Sequence, residues 1–122
     1  MQTSGNSEHD LLMQCTVAEM KRQNMSAIKA DHLPDYVQPD QLGDYIPDAT
    51  GYYNGSLVIV EAESSEGLLT DHTTDQWRAF FQSACQCGGF FIVAVAHQNE
   101  DYAKVLLRLI CGSASNVLLW AF

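Results

Sequence analysis

Ile46-Pro47-Asp48-Ala49-Thr50-Gly51-Tyr52-Tyr53-Asn54-Gly55-Ser56-Leu57-Val58-Ile59-Val60-Glu61-Ala62-Glu63 reads as two strands joined by a tight turn. Asn-Gly between two β-prone runs is a strong hairpin signal, because a type I′ turn needs positive φ at both central residues. With Asn54 and Gly55 in the turn, Tyr53 faces Ser56, and the same register sets Asp48 opposite Glu61. Opposed residues point to one side of a sheet, with Cβ atoms roughly 4.5–5.5 Å apart. Glu63, two residues beyond Glu61, shares that side. Leu57 to Val60 is apolar on both faces, as in a strand covered from both sides. Three carboxylates therefore converge at the end of a buried sheet. Like charges so placed repel, so either one carboxyl holds a proton or a cation sits between them. A hard divalent metal suits carboxylate oxygens. The expectation depends on register, since one bulge sends Asp48 and Glu61 to opposite faces. Pro47 falls opposite Ala62 and cannot donate a ladder bond, so pairing is expected to end there.

Upstream, residues 1–6 read as a loose end, and Ser7 with Asp10 resembles a helix-start box. Leu11, Leu12, Cys15, Ala18, Met25 and Ile28 recur at helical spacing and predict one helix from about Glu8 to Ala30. Pro34, Pro39 and Gly43 make residues 31–44 a loop, with room for a short strand at Tyr36 and Val37. Downstream, Thr73 and Gln76 read as a capping box for a helix with Trp77, Phe80, Phe81, Ala84 and Cys85 inward, stopped by Gly88-Gly89. The run from Phe90 to Ala96 reads as a buried strand, parallel to a neighbour because a helix precedes it. Asn99 is placed to cap a third helix with Tyr102, Ala103, Val105, Leu106, Leu109 and Ile110 inward. Val117 to Phe122 reads as the last strand. The order predicts one α/β domain over residues 1–122, a three-layer sandwich with a mixed central sheet and a hairpin carrying the acidic cluster.

The chain has 122 residues, enough for one domain with a real core, and 47% are hydrophobic, which excludes a disordered tail. A net charge of −9 argues against a broad basic nucleic-acid surface. Cys15, Cys85, Cys87 and Cys111 form neither a redox pair nor a zinc knuckle, and their apolar surroundings predict buried free thiols. The N-terminus has no apolar signal core, and the longest apolar run is far short of a membrane span. These features point to a cytoplasmic protein with no membrane association.

A helix, then a hairpin reading P-D…E-x-E, then a helix and a strand resembles the PD-(D/E)xK nuclease superfamily over roughly Glu8 to Ala96. The resemblance implies a restriction endonuclease-like fold and an Mg²⁺ (or Mn²⁺) site held by Asp48, Glu61 and the backbone carbonyl of Ala62. Gln76-Trp77-Arg78-Ala79-Phe80 is similar to the Q-x-x-x-Y motif of the exonuclease branch, with Phe80 for tyrosine; Gln76 equally fits the role of a helix cap. Some members place a first-helix glutamate near the metal, for which Glu19 is the candidate. The chain departs from the family at Glu63, which stands where the family has its lysine. A few restriction enzymes carry glutamate there and still cleave DNA. The extra negative charge favours a second metal or a proton-accepting role for Glu63. Arg78 is a candidate for the missing positive charge, and His72 for a substrate contact; a plain surface role is the favoured reading of each.

The resemblance thus implies metal-dependent hydrolysis of DNA phosphodiester bonds, with Asp48, Glu61, Glu63 and Gln76 at the site. Two other readings fit the same residues. One is a nuclease-fold protein without catalysis, whose acidic surface binds a protein partner or occupies a nucleic-acid-binding groove. The other is a subunit, homo-oligomeric or partnered, that borrows its DNA-binding surface.

Overall fold

The computed structural model describes residues 4–122, and side chains from Glu8 onward. Helix α1 (Ser4–Arg22) leads into strand β1 (Ser26–Ala30), the hairpin β2 (Ala49–Tyr53) and β3 (Ser56–Ala62), helix α2 (Asp71–Cys87), strand β4 (Phe90–Val95), helix α3 (Glu100–Cys111) and strand β5 (Val117–Ala121). The five strands form one mixed sheet in the order β1-β2-β3-β4-β5. β1, β2 and β3 pair antiparallel; β3, β4 and β5 pair parallel. The architecture is α/β, with helices on both faces.

The sheet separates two cores. On one side Val58, Val60, Ala62, Ile92 and Ala94 pack against Leu12, Met13, Val17 and Met20 of α1. On the other Ile59, Phe91, Val93 and Val95 pack against Trp77, Phe80 and Ala84 of α2 and Ala103 and Leu107 of α3. The period of two along β3 thus sends even-numbered residues to α1 and odd-numbered residues to α2 and α3. At the α2–β4 corner, Gly88 takes the left-handed conformation (φ 69°) that closes the helix. A side chain at Gly89 would collide with the Leu57 carbonyl, so glycine is what lets β4 start flush against β3.

The hairpin is as expected: Asn54 and Gly55 have φ of 50° and 85°, and Tyr53 pairs with Ser56. β4 is indeed parallel to β3. Several local expectations are corrected. The first helix begins at least by Ser4, before the Ser7 box, and ends at Arg22 rather than Ala30. Asn24 turns left-handed (φ 62°), and the Met25 N–H reaches back 3.1 Å to the Met20 carbonyl, closing the helix so that Met25 and Ile28 leave it. Its buried stripe is Leu12, Met13, Thr16, Val17 and Met20, while Leu11, Cys15 and Ala18 are exposed. No strand forms at Tyr36 and Val37; the loop closes instead through a Leu42–Tyr45 bridge. Thr70, not Thr73, caps α2, accepting the Thr73 N–H. Asn99 makes no side-chain cap on α3; its amide nitrogen donates to Ser65 Oγ at 2.8 Å. Tyr102, Val105 and Leu109 of α3 face solvent at 49%, 61% and 77% exposure, and Ala103, Leu107 and Cys111 are the buried ones. Only Cys111 is a buried thiol; Cys15, Cys85 and Cys87 are exposed. Residues 1–3 of the expected loose end lie outside the described residues. Among the described residues no helix is long and apolar enough to cross a membrane.

Candidate functional site: the acidic end of the hairpin

Antiparallel pairing of β2 with β3 stops at Ala49–Val60. The next hydrogen-bonded pair in that register would join Pro47 to Ala62, and proline has no N–H to give. Asp48 resolves half of the problem. Its Oδ2 accepts the Ala62 N–H at 2.8 Å, while its own N–H donates to Glu61 Oε1 at 2.9 Å. The Ala62 carbonyl is left without a ladder donor. Pro47 therefore ends the sheet and leaves two acids and one carbonyl at the break, on a residue that is only 2% exposed.

Glu61 and Glu63 are odd-numbered, so both lie on the α2 side, buried at 3% and 9% exposure. Burial first, and then the charges of Asp48 and Glu63, push the Glu61 carboxyl well above the usual carboxylate range; the bond from the Asp48 N–H opposes this without prevailing. Burial and the Asp48 charge push Glu63 up to about 7. His9, Trp77 and Thr73 hold it from going higher. The Thr73 hydroxyl stands 3.4 Å from Glu63 Oε1 and 2.6 Å from the Gly67 carbonyl. The Trp77 indole N–H is fully buried with no well-formed hydrogen bond, yet it lies near enough to Glu63 to favour the anion.

α1 supplies a residue that the sequence did not single out. His9 Nε2 stands 3.4 Å from Asp48 Oδ1. Its contact with that carboxylate raises its pKa against the opposing effect of burial, and the charge of Glu63 adds to the rise. The preceding residue anchors this end of the helix: Glu8 Oε2 accepts both the N–H and the hydroxyl of Ser65, each at 3.1 Å. No spacing in the chain links His9 to the hairpin, so only tertiary packing brings it there.

The structure brings Asp48, Glu61, Ala62 and Glu63 together. Gln76 is half-buried on α2, three residues beyond Thr73 and so beside it on the helix surface. Glu19 is not at the site. It pairs with Arg22 at 2.7 Å and with Gln23, eleven residues and about 16 Å of helix beyond Glu8. Arg78 is also elsewhere, 3.7 Å from Asp75 and half exposed. His72 is exposed and lies edge-on to Tyr45, with ring centroids 5.7 Å apart.

Among the described residues no three His, Cys, Asp or Glu side chains are arranged to hold a metal ion. Mg²⁺, however, is bound through one or two carboxylates and keeps several waters. Asp48, Glu61 and the ladder-free carbonyl of Ala62 offer hard oxygens of that kind. A cation among them would offset the mutual repulsion that, after burial, raises the pKa of Glu61 and Glu63, so the residues fit such an ion. No protein-family model matches the chain, and no curated protein or solved structure is significantly similar to it.

Proposed function

We propose that the chain is a metal-dependent, nuclease-like hydrolase of DNA phosphodiester bonds with a restriction endonuclease-like fold. The observation that carries the reading is the meeting of Asp48, Glu61, Glu63 and the ladder-free Ala62 carbonyl at the Pro47 break. The succession α1, hairpin, α2, β4 supports it as well, being the arrangement that the PD-(D/E)xK resemblance implies. Asp48, Glu61 and the Ala62 carbonyl would hold Mg²⁺ or Mn²⁺. When bound, that ion polarises a phosphate and lowers the pKa of a coordinated water. Glu63, with its pKa near neutrality, is suited to take a proton from water. His9, 3.4 Å from Asp48 with its pKa raised by that contact, is the candidate for the positive charge that the family's lysine would supply. Thr73 and Trp77 lie beside Glu63 and partly stabilise its anion. Gln76 belongs to the α2 surface next to this group. With a net charge of −9, nucleic acid must be met locally at this cluster or through a partner subunit that brings basic surface.

The reciprocal bonds of Asp48 and Glu61 favour a second reading. Both acids already serve backbone amides, as a structural cap would. In that case the chain is a nuclease-fold protein without catalysis, and its acidic surface engages a protein partner or a nucleic-acid-binding groove.

Titration of Mg²⁺ and Mn²⁺ against thermal stability separates the readings. The hydrolase gains Tm with metal, and Asp48→Ala and Glu61→Ala abolish the gain. Cleavage of single-stranded, duplex and branched DNA should then fall about 10²- to 10⁴-fold in Glu63→Gln. No stabilisation at millimolar metal favours the inert reading.

A further inference from the structure

The two edges of the sheet are built differently. β1 is irregular: its register against β2 shifts between Ser26 and Lys29, Ala27 has a φ of 51°, and Lys29 stands on it. A bulge and a lysine are devices that stop another strand from joining an edge. β5 has neither. Val117-Leu118-Leu119-Trp120-Ala121 carries no charge, proline or bulge, and it pairs in unbroken register with β4 alone. The Phe91 N–H bonds to the Asn116 carbonyl and the Phe122 N–H to the Val95 carbonyl. Even-numbered residues of β5 therefore face β4. The N–H and C=O groups of Val117, Leu119 and Ala121 point outward as an open row.

The helix beside this edge says what would fit. A shallow groove between α3 and β5 is lined by Lys104, Leu107, Arg108, Val117, Leu118 and Leu119. Lys104 and Arg108 thus face the edge side. Glu100 and Asp101 lie one turn or two earlier on the same side, and Lys104 pairs with Glu100 at 3.5 Å. Among the described residues, Asp101 and Arg108 have no ion-pair partner within the chain. Acids come first along this side of the helix and bases last. Such an order complements itself when two copies lie antiparallel.

We propose that β5 pairs antiparallel with β5 of a second copy across a two-fold axis at Leu119, making one continuous sheet across a homodimer. Val117 of one copy then faces Ala121 of the other, and every outward backbone group of β5 gains a partner. The same axis lays the two α3 helices antiparallel over the seam and brings Asp101 of each copy to Arg108 of the other. The pairing is independent of any chemistry at the acidic cluster, which lies on β2 and β3.

Sedimentation and light scattering of the full chain test it. The expected particle has twice the mass of the chain at tens of micromolar. Ala121→Pro removes an outward N–H while sparing the β4 ladder, and it should weaken the dimer at least tenfold with the circular dichroism spectrum retained. Arg108→Asp should weaken it as well, and the double exchange Asp101→Arg with Arg108→Asp should restore it. Hydrogen exchange gives a readout without variants: the amides of Leu119 and Ala121 gain protection with concentration, while those of Leu118 and Trp120 are protected throughout. A monomer at high concentration, or a dimer indifferent to Ala121→Pro and without concentration-dependent protection of Leu119, overturns the proposal. Protection of Leu119 and Ala121 that appears only with another protein bound would assign the edge to a foreign strand and would equally overturn it.

Discussion

Asp48 and Glu61 hold each other's strands: Asp48 gives its N–H to Glu61 Oε1 at 2.9 Å, and Asp48 Oδ2 takes the N–H next to Glu61, that of Ala62, at 2.8 Å. Each acid thus accepts a backbone N–H of the partner strand at the break that Pro47 makes in the ladder. Asp48→Ala strips a buried amide of its acceptor and should cost about 1–3 kcal/mol in urea denaturation. Asp48→Asn keeps an acceptor oxygen and should cost less. Glu61→Gln keeps the acceptor and removes an acid whose charge is already suppressed, so metal-free stability at neutral pH should change by less than about 1 kcal/mol. A large loss in Glu61→Gln would mean that Glu61 is ionised in the folded protein.

Stability should fall as pH rises from about 5 to 8. Glu63 is raised in the fold to about 7 from 4.5, so its contribution is full below the unfolded value and is lost as pH rises through the folded one. Its size is on the order of 3 kcal/mol. His9 is also raised, above 6.5, so its contribution is present below that value and disappears as pH rises through its folded pKa. Both groups slope the curve the same way. Glu63→Gln should flatten it, as measured by denaturant midpoints across this range. Saturating Mg²⁺ should flatten it too if a cation takes the place of the protons.

His9 should govern Glu63. The imidazolium charge lowers the Glu63 pKa, so His9→Ala should move it above about 7, while His9→Lys should keep it near the wild-type value. Carbon-detected NMR titration of the Glu63 carboxyl reads this directly. An unchanged Glu63 titration in His9→Ala would show that the two groups do not sense each other.

Gly89→Ala should destabilise the fold by about 2 kcal/mol or more, because the new methyl meets the Leu57 backbone rather than a movable side chain. Gly55→Ala finds open space and suffers only from its φ of 85°, so its cost should be smaller. Thermal melts of the two variants compare backbone collision with backbone strain.

The hairpin and its acids were legible because their signals are local. Asn-Gly dictates the turn, the turn dictates register, and register alone places Asp48 across from Glu61. The parallel β4 was legible for the same reason, as a short apolar run after a helix and a glycine pair. The errors arose where local patterns compete. Met25 and Ile28 continue a helical period by coincidence, and Asn24, which breaks it, carries no proline or glycine warning. On α3 the choice of inward face turned on apolarity; Ala103 is buried as expected, but so are Leu107 and Cys111, while Tyr102, Val105 and Leu109 are not. Glu19 and Arg78 were assigned by residue type, and neither reaches the cluster. His9 was missed because its partner lies 39 positions away, and nothing but the docking of α1 on the hairpin end brings them together.

The irregular β1 also limits how large any assembly can grow. A sheet open at both margins can add subunits without end, as fibres do. Here one margin is broken by a register shift and carries a lysine, so a second copy paired at β5 as proposed would find no place to continue. With the proposed pairing, growth by edge addition would therefore stop at a closed particle, held finite by residues at the far side of the sheet.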